Sequence, residues 1–122
     1  MINEGIKNII ENNAMGLATV DKIGNPHCIA VGYVKVISKN QLIISDNYLK
    51  ETLENIKSNP NVSLVVWCSD WKENCVGYEL KGKAECFTSG KWIDFIKKIP
   101  INKGEPCKGA ILVTLNKIKP LI

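Results

Sequence analysis

One histidine, His27, is all the imidazole this chain has, and from it alone no Ser/His/Asp or Cys/His constellation can be argued. No Cys-x-x-Cys occurs, and no Cys/His group has zinc-like spacing. The five cysteines are odd in number, which argues against a disulfide scaffold, and Cys28, Cys68 and Cys86 fall in apolar strand-like runs where a free thiol packs as a small hydrophobe. No apolar run approaches the length of a membrane span. The opening residues, MINEGIKNIIENN, carry acid and amide groups where a signal peptide needs a basic end and an apolar core, so the expected location is cytoplasmic. Block, stripe and arginine cluster are all missing from the basic residues, which excludes a track for a nucleic-acid backbone. Internal repeats and low-complexity tracts are absent as well.

What remains is an ordinary globular composition. The 122 residues make room for one domain, 1–122, and for one sizeable core. Hydrophobic residues at 45% and charged residues at 23% exclude a disordered tail. The net charge of +4, spread along the chain, mildly favours anionic small ligands.

Ile2, Ile6, Ile9 and Ile10 recur at helical spacing behind a possible Asn3 cap. Residues 16–20 read as a short strand, residues 21–25 as a polar turn, and Pro26 restarts an extended segment, so a hairpin is expected. The second strand runs from 27 to 37 with both faces mostly covered, and Gly32 in its middle marks a bulge or a close approach of a ligand to the backbone. Further strands are expected over 41–45, 62–68, 75–87 (interrupted by Gly82) and 110–115. Thr88 or Ser89 can cap a helix in which Trp92, Phe95, Ile96 and Ile99 share a face. The chain then closes on an apolar tip, Leu121-Ile122, which calls for burial. Six strands with three helices suggest a mainly β (α+β) fold, a small Greek-key barrel with covering helices; pattern alone leaves an open α+β sheet as an alternative.

The richest stretch is 43–62. Leu42, Ile43 and Ile44 are ended by Ser45-Asp46-Asn47, side chains that favour turns and helix caps. A helix follows, with Leu49, Leu53 and Ile56 on one face, and Asn59-Pro60 stops it. A helix opening just after a strand offers unpaired N–H groups and a positive dipole end, here beside Ser45, Lys50 and Thr52, which suits a phosphate. The same parts also make an ordinary capped surface helix, and the residues alone do not separate the two.

The segment Lys50-Glu51-Thr52-Leu53-Glu54-Asn55-Ile56 with Asn59-Pro60-x-Val62 resembles the phosphate-binding turn of the split-barrel flavin proteins, the pyridoxamine phosphate oxidase and flavin reductase superfamily. Gly16-Leu17-Ala18-Thr19-Val20, Gly24-Asn25-Pro26-His27 and Tyr78-Glu79-Leu80-Lys81-Gly82-Lys83-Ala84 extend the resemblance over nearly the whole chain, which is most similar to the small FMN-binding members. It implies a six-stranded split barrel, FMN at a homodimer interface, and a redox role as electron carrier or flavin-dependent oxidoreductase. By position, Ser45, Asp46 and Asn47 would line the strand end, Lys50, Glu51 and Thr52 would form the phosphate turn, and Ala30, Val31 and Gly32 would lie along the isoalloxazine. Many relatives have two basic residues where this chain has Lys50 followed by Glu51, and the second strand has Ala30-Val31 where some relatives offer the ring a polar pair.

Other readings stay open. The same turn would hold pyridoxal or pyridoxamine phosphate, although no basic cluster is at hand to grip the rest of that ring. Some members of the superfamily bind a deazaflavin or haem. A non-enzymatic binding module would need aromatics on exposed strand faces beside lysine, for which only Tyr33 and Tyr78 loosely qualify. His27 reads as a half-buried structural residue, and any chemistry would belong to the bound flavin, with the protein supplying position and electrostatics.

Overall fold

Residues 1–46, 49–99 and 107–122 are described by a computed structural model, in which they form three helices and one seven-stranded antiparallel sheet. Along the chain come α1 (Glu4–Asn12), β1 (Met15–Val20), β2 (Pro26–Val31), β3 (Val34–Val36), β4 (Gln41–Asp46), α2 (Lys50–Ser58), β5 (Asn61–Trp67), β6 (Gly77–Phe87), α3 (Lys91–Lys98) and β7 (Gly109–Pro120). The strand order is β2-β1-β5-β6-β7-β4-β3.

The seventh strand corrects the expected six. The apolar alternation over 27–37 is real, but the chain changes partners within it: β2 pairs with β1 at one edge of the sheet and β3 with β4 at the other. Gly32 and Tyr33 make the switch. Period-two alternation reports which face a side chain takes and is silent on which strand its backbone bonds, so the break left no other trace.

Both edge strands serve one core. Leu17, Val31, Val34, Ile44, Leu64, Leu80 and Val113, one from each strand, belong to a single buried cluster, so the sheet must curl into a half-barrel around it. The fold is therefore a split barrel. Ile6 and Ile10 of α1 and Ile56 of α2 complete that core, and Asn3 Oδ1 caps α1 by accepting from the Ile6 N–H at 2.9 Å. On the outer face, α3 lays Ile93 and Ile96 over Ile43, Ala110 and Leu112. The N-cap of α3 is Gly90, at φ 93°, rather than Thr88 or Ser89.

β6 bends where its register with β7 shifts between Lys81 and Gly82. A Cβ at Gly82 would stand 2.2 Å from the Thr114 carbonyl oxygen, so only glycine lets the two strands cross this closely. β7 continues to Pro120, five residues past the apolar run that announces it, because Lys117 and Lys119 pair in the ladder with their side chains exposed. Cys28 is exposed and Cys68 and Cys86 are half-buried, so the thiols are less enclosed than their apolar neighbours suggest. Among the described residues no helix is long and apolar enough to cross a membrane.

Candidate functional site

The end of β4 delivers the chain to α2, and Asp46 organises the junction. Its Oδ1 accepts the Leu49 N–H at 2.7 Å, placing a carboxylate at the positive end of the helix. Leu53 N–H then donates to the Leu49 carbonyl at 3.0 Å as the first turn closes. The amides of Lys50, Glu51 and Thr52 lie ahead of that bond, at the position where helices leave N–H groups for caps or ligands.

Lys50 and Glu51 are exposed, whereas Thr52 is 1% exposed and its Oγ1 has no hydrogen-bond partner. A buried hydroxyl left unsatisfied costs roughly 1–3 kcal/mol, so such an atom in a native fold calls for an explanation.

The buried face of α2 is unusually polar: Thr52 and Asn55 are buried beside Ile56, while Leu49 and Leu53 are only partly covered. Asn55 Nδ2 donates to Thr19 Oγ1 of β1 at 3.0 Å. One helical turn earlier, Glu51 Oε2 stands 2.7 Å from His27 Nδ1 of β2. Thr19 and His27 are themselves cross-strand partners. Sequence reasoning missed this seam, since Thr19, Asn55 and His27 carry no mark that separates a polar residue turned inward from one turned to water.

The residues expected to form the site distribute around one corner. Ser45 and Asp46 are buried at the end of β4, and Ser45 N–H donates to the Tyr33 carbonyl at 2.9 Å, beside the Gly32 break. Asn47 lies outside the described residues. Ala30 is exposed on the outer sheet face opposite Gly16, and Gly32 is exposed with nothing within 4 Å of an added Cβ. Val31 points into the core, so its side chain serves packing and only its backbone faces the corner.

That outer face of β2, β1 and β5 carries two shallow grooves. One, of about 120 Å³, is lined by Gly16, Ala18, Cys28, Ser63, Val65 and Leu121; the other, of about 200 Å³, by Trp67, Trp71 and Leu121. Trp67 is 42% exposed, Leu121 44% and Ile122 81%, so the apolar tip stays uncovered in the single chain. Leu121 N–H does donate to the Gly77 carbonyl at 3.0 Å.

Cys86 lies near Asp46 and Lys57. Burial, and then the Asp46 charge, push its thiol up to about 11, with Lys57 opposing, so it is protonated and unreactive near neutrality. Among the described residues no group of His, Cys, Asp or Glu is arranged to hold a metal ion.

A family model described as pyridoxamine 5'-phosphate oxidase matches residues 2–117. An uncharacterized protein of Methanocaldococcus jannaschii is 29% identical over 122 residues, a span covering 96% of this chain and 78% of that one. Among solved structures, HupZ of Group A Streptococcus superposes with a TM-score of 0.89 at 25% identity, over 99% of this chain and 94% of that chain. An FMN-binding protein from Syntrophomonas wolfei shares the fold with a TM-score of 0.82 at 21% identity, over 95% of this chain and 83% of that chain.

Proposed function

The chain belongs to the pyridoxamine 5'-phosphate oxidase family, and from that premise we propose that it is a flavoprotein that binds FMN for a redox reaction, as electron carrier or flavin-dependent oxidoreductase. The observation that carries this reading is the Thr52 hydroxyl, buried without a partner in the first turn of a helix that follows a strand end. A phosphate oxygen there would satisfy it, and the leading amides of α2 and the Lys50 ammonium would share the remaining charge. These residues fit the group.

In this reading Lys50, Thr52 and the first-turn amides hold the phosphate, with Ser45 and Asp46 at the strand end. The Glu51 side chain is engaged by His27, so Glu51 takes part through its backbone amide. Ala30 and Gly32, both exposed, lie along the ring, and Val31 contributes backbone alone. FMN, when bound, supplies the electron or hydride chemistry, while the chain binds and orients it. The small side chains of the outer face, Gly16, Ala18 and Ala30, would let a flat ring or a second chain approach the sheet closely. The protein is accordingly a homodimer with the site at the interface.

Pyridoxal phosphate would use the same turn, but only Lys50 among the turn residues is basic. Haem would need a side-chain ligand, which the one histidine, His27, would offer through the Nε2 that its Glu51 contact leaves open. An absorption spectrum of the purified protein, before and after denaturation, tests the reading. A flavin spectrum released on denaturation, or acquired on adding FMN, is expected. A colourless protein that takes up no FMN would remove it, and a Soret band would redirect it to haem.

A further inference from the structure

Two contacts tie α2 to the sheet, and they form a closed pattern. Glu51 and Asn55 are four residues apart, so they stack on one side of the helix. Their partners, His27 and Thr19, face each other directly across the β1–β2 ladder. A helical i,i+4 pair is thus matched to a cross-strand pair, Glu51 to His27 at 2.7 Å and Asn55 to Thr19 at 3.0 Å. Two such links, about one helical turn apart, fix the rotation of α2 about its own axis as well as its distance from the sheet.

The two links differ in character. Asn55 and Thr19 are buried, and their bond is part of the packing. The Glu51 side chain is 67% exposed and that of His27 24%, so this pair adds little to global stability. Its consequence is local. Without it, the first turn of α2 is held by the Asp46 contact to Leu49 and by the lower link at Asn55, and the stretch between them, Lys50 to Thr52, is free to fray. That stretch is where Thr52 Oγ1 waits for a partner.

We propose that His27 is a positioning residue: by holding Glu51 it sets the first turn of α2 in the orientation that an anionic group requires. Orientation matters here because hydrogen bonds to a charged group weaken steeply with misalignment. The inference rests on the FMN reading for the identity of the anion, but the clamp itself is a property of the protein without ligand. His27 touches neither ring nor phosphate in this scheme. It acts through Glu51.

Two measurements on full-length protein decide it. In the ligand-free protein, amide exchange at Leu53, whose N–H closes the first turn, should quicken by about three- to tenfold in His27→Ala, with strand amides and the melting temperature nearly unchanged. Glu51→Ala should reproduce that change and the double variant add nothing further, whereas Glu51→Gln, which keeps an acceptor oxygen for the ring N–H, should retain protection. In titrations, His27→Ala should reduce the preference for FMN over riboflavin by about the same factor, since only FMN carries the phosphate. Unchanged Leu53 exchange in both His27→Ala and Glu51→Ala overturns the proposal, as does an unchanged FMN preference in a variant that still binds FMN. Wild-type protein that takes neither flavin would end the FMN reading, and the exchange result would still decide the clamp.

Discussion

Asn55 reaches from the buried side of α2 to Thr19 in β1, Nδ2 to Oγ1 at 3.0 Å, at a position where an amphipathic helix would ordinarily set a leucine. Asn55→Ala strands the Thr19 hydroxyl in the interior and opens space beside it. A loss of about 1–3 kcal/mol in unfolding free energy is expected from urea titration. A change under about 0.5 kcal/mol would mean that water or a shifted neighbour satisfies Thr19 without cost.

Thr52 sets stability against binding. Replacing it with valine, which is nearly the same shape, removes the orphan hydroxyl and should make the ligand-free protein more stable by about 1 kcal/mol, read from the same titrations. A destabilised Thr52→Val would show that the hydroxyl already has a partner in solution.

How far the residues announced all this varies by element. α1, the β1–β2 hairpin and the stop at Pro60 were legible because caps, turn residues and prolines act within a few positions of themselves. The division of the 27–37 stretch was not, because partner choice is a long-range fact; Gly32 hinted at it and no more. Helix α2 was found at its proper place, and its stripe of Leu49, Leu53 and Ile56 does pack on the core, but the inward face is wider than that stripe and takes in Thr52 and Asn55 as well. Asn55 can take that side because Thr19 meets it there, and nothing local to α2 says so. Lys50 and Thr52 were singled out by their place at a helix start just after a strand, and a resemblance of pattern decided between a phosphate site and an ordinary cap. The buried, unpartnered state of Thr52 emerged only from packing.

Thiol reactivity should follow environment. With Cys86 held up to about 11, iodoacetamide at pH 8 should label exposed Cys28 and Cys75 well before Cys86, as peptide mass spectrometry would show. The sign for stability follows: the unfolded thiol ionises near its usual 9.0 and the folded one near 11, so this group favours the folded state fully below about pH 9 and that preference is lost as pH rises toward 11. Rapid labelling of Cys86 in the native state would mean that it is less buried, or farther from Asp46, than described.

Assembly should depend on the uncovered face. Light scattering should give twice the chain mass for the wild type, and Val65→Lys, set in the groove beside Gly16 and Leu121, should shift the protein to monomer and weaken FMN with it. A Val65→Lys protein that stays dimeric and binds FMN unchanged would put the interface elsewhere.

The claim that the first turn of α2 takes the phosphate of FMN meets its most direct test in paired fluorescence titrations of FMN and riboflavin against wild type, Lys50→Ala and Thr52→Val. Charge-assisted hydrogen bonds are worth about 1.5–3 kcal/mol, so Lys50→Ala should cost FMN roughly one to two decades in affinity and riboflavin almost nothing, and Thr52→Val should follow in the same direction. Equal losses for the two flavins, or none for either, would contradict it.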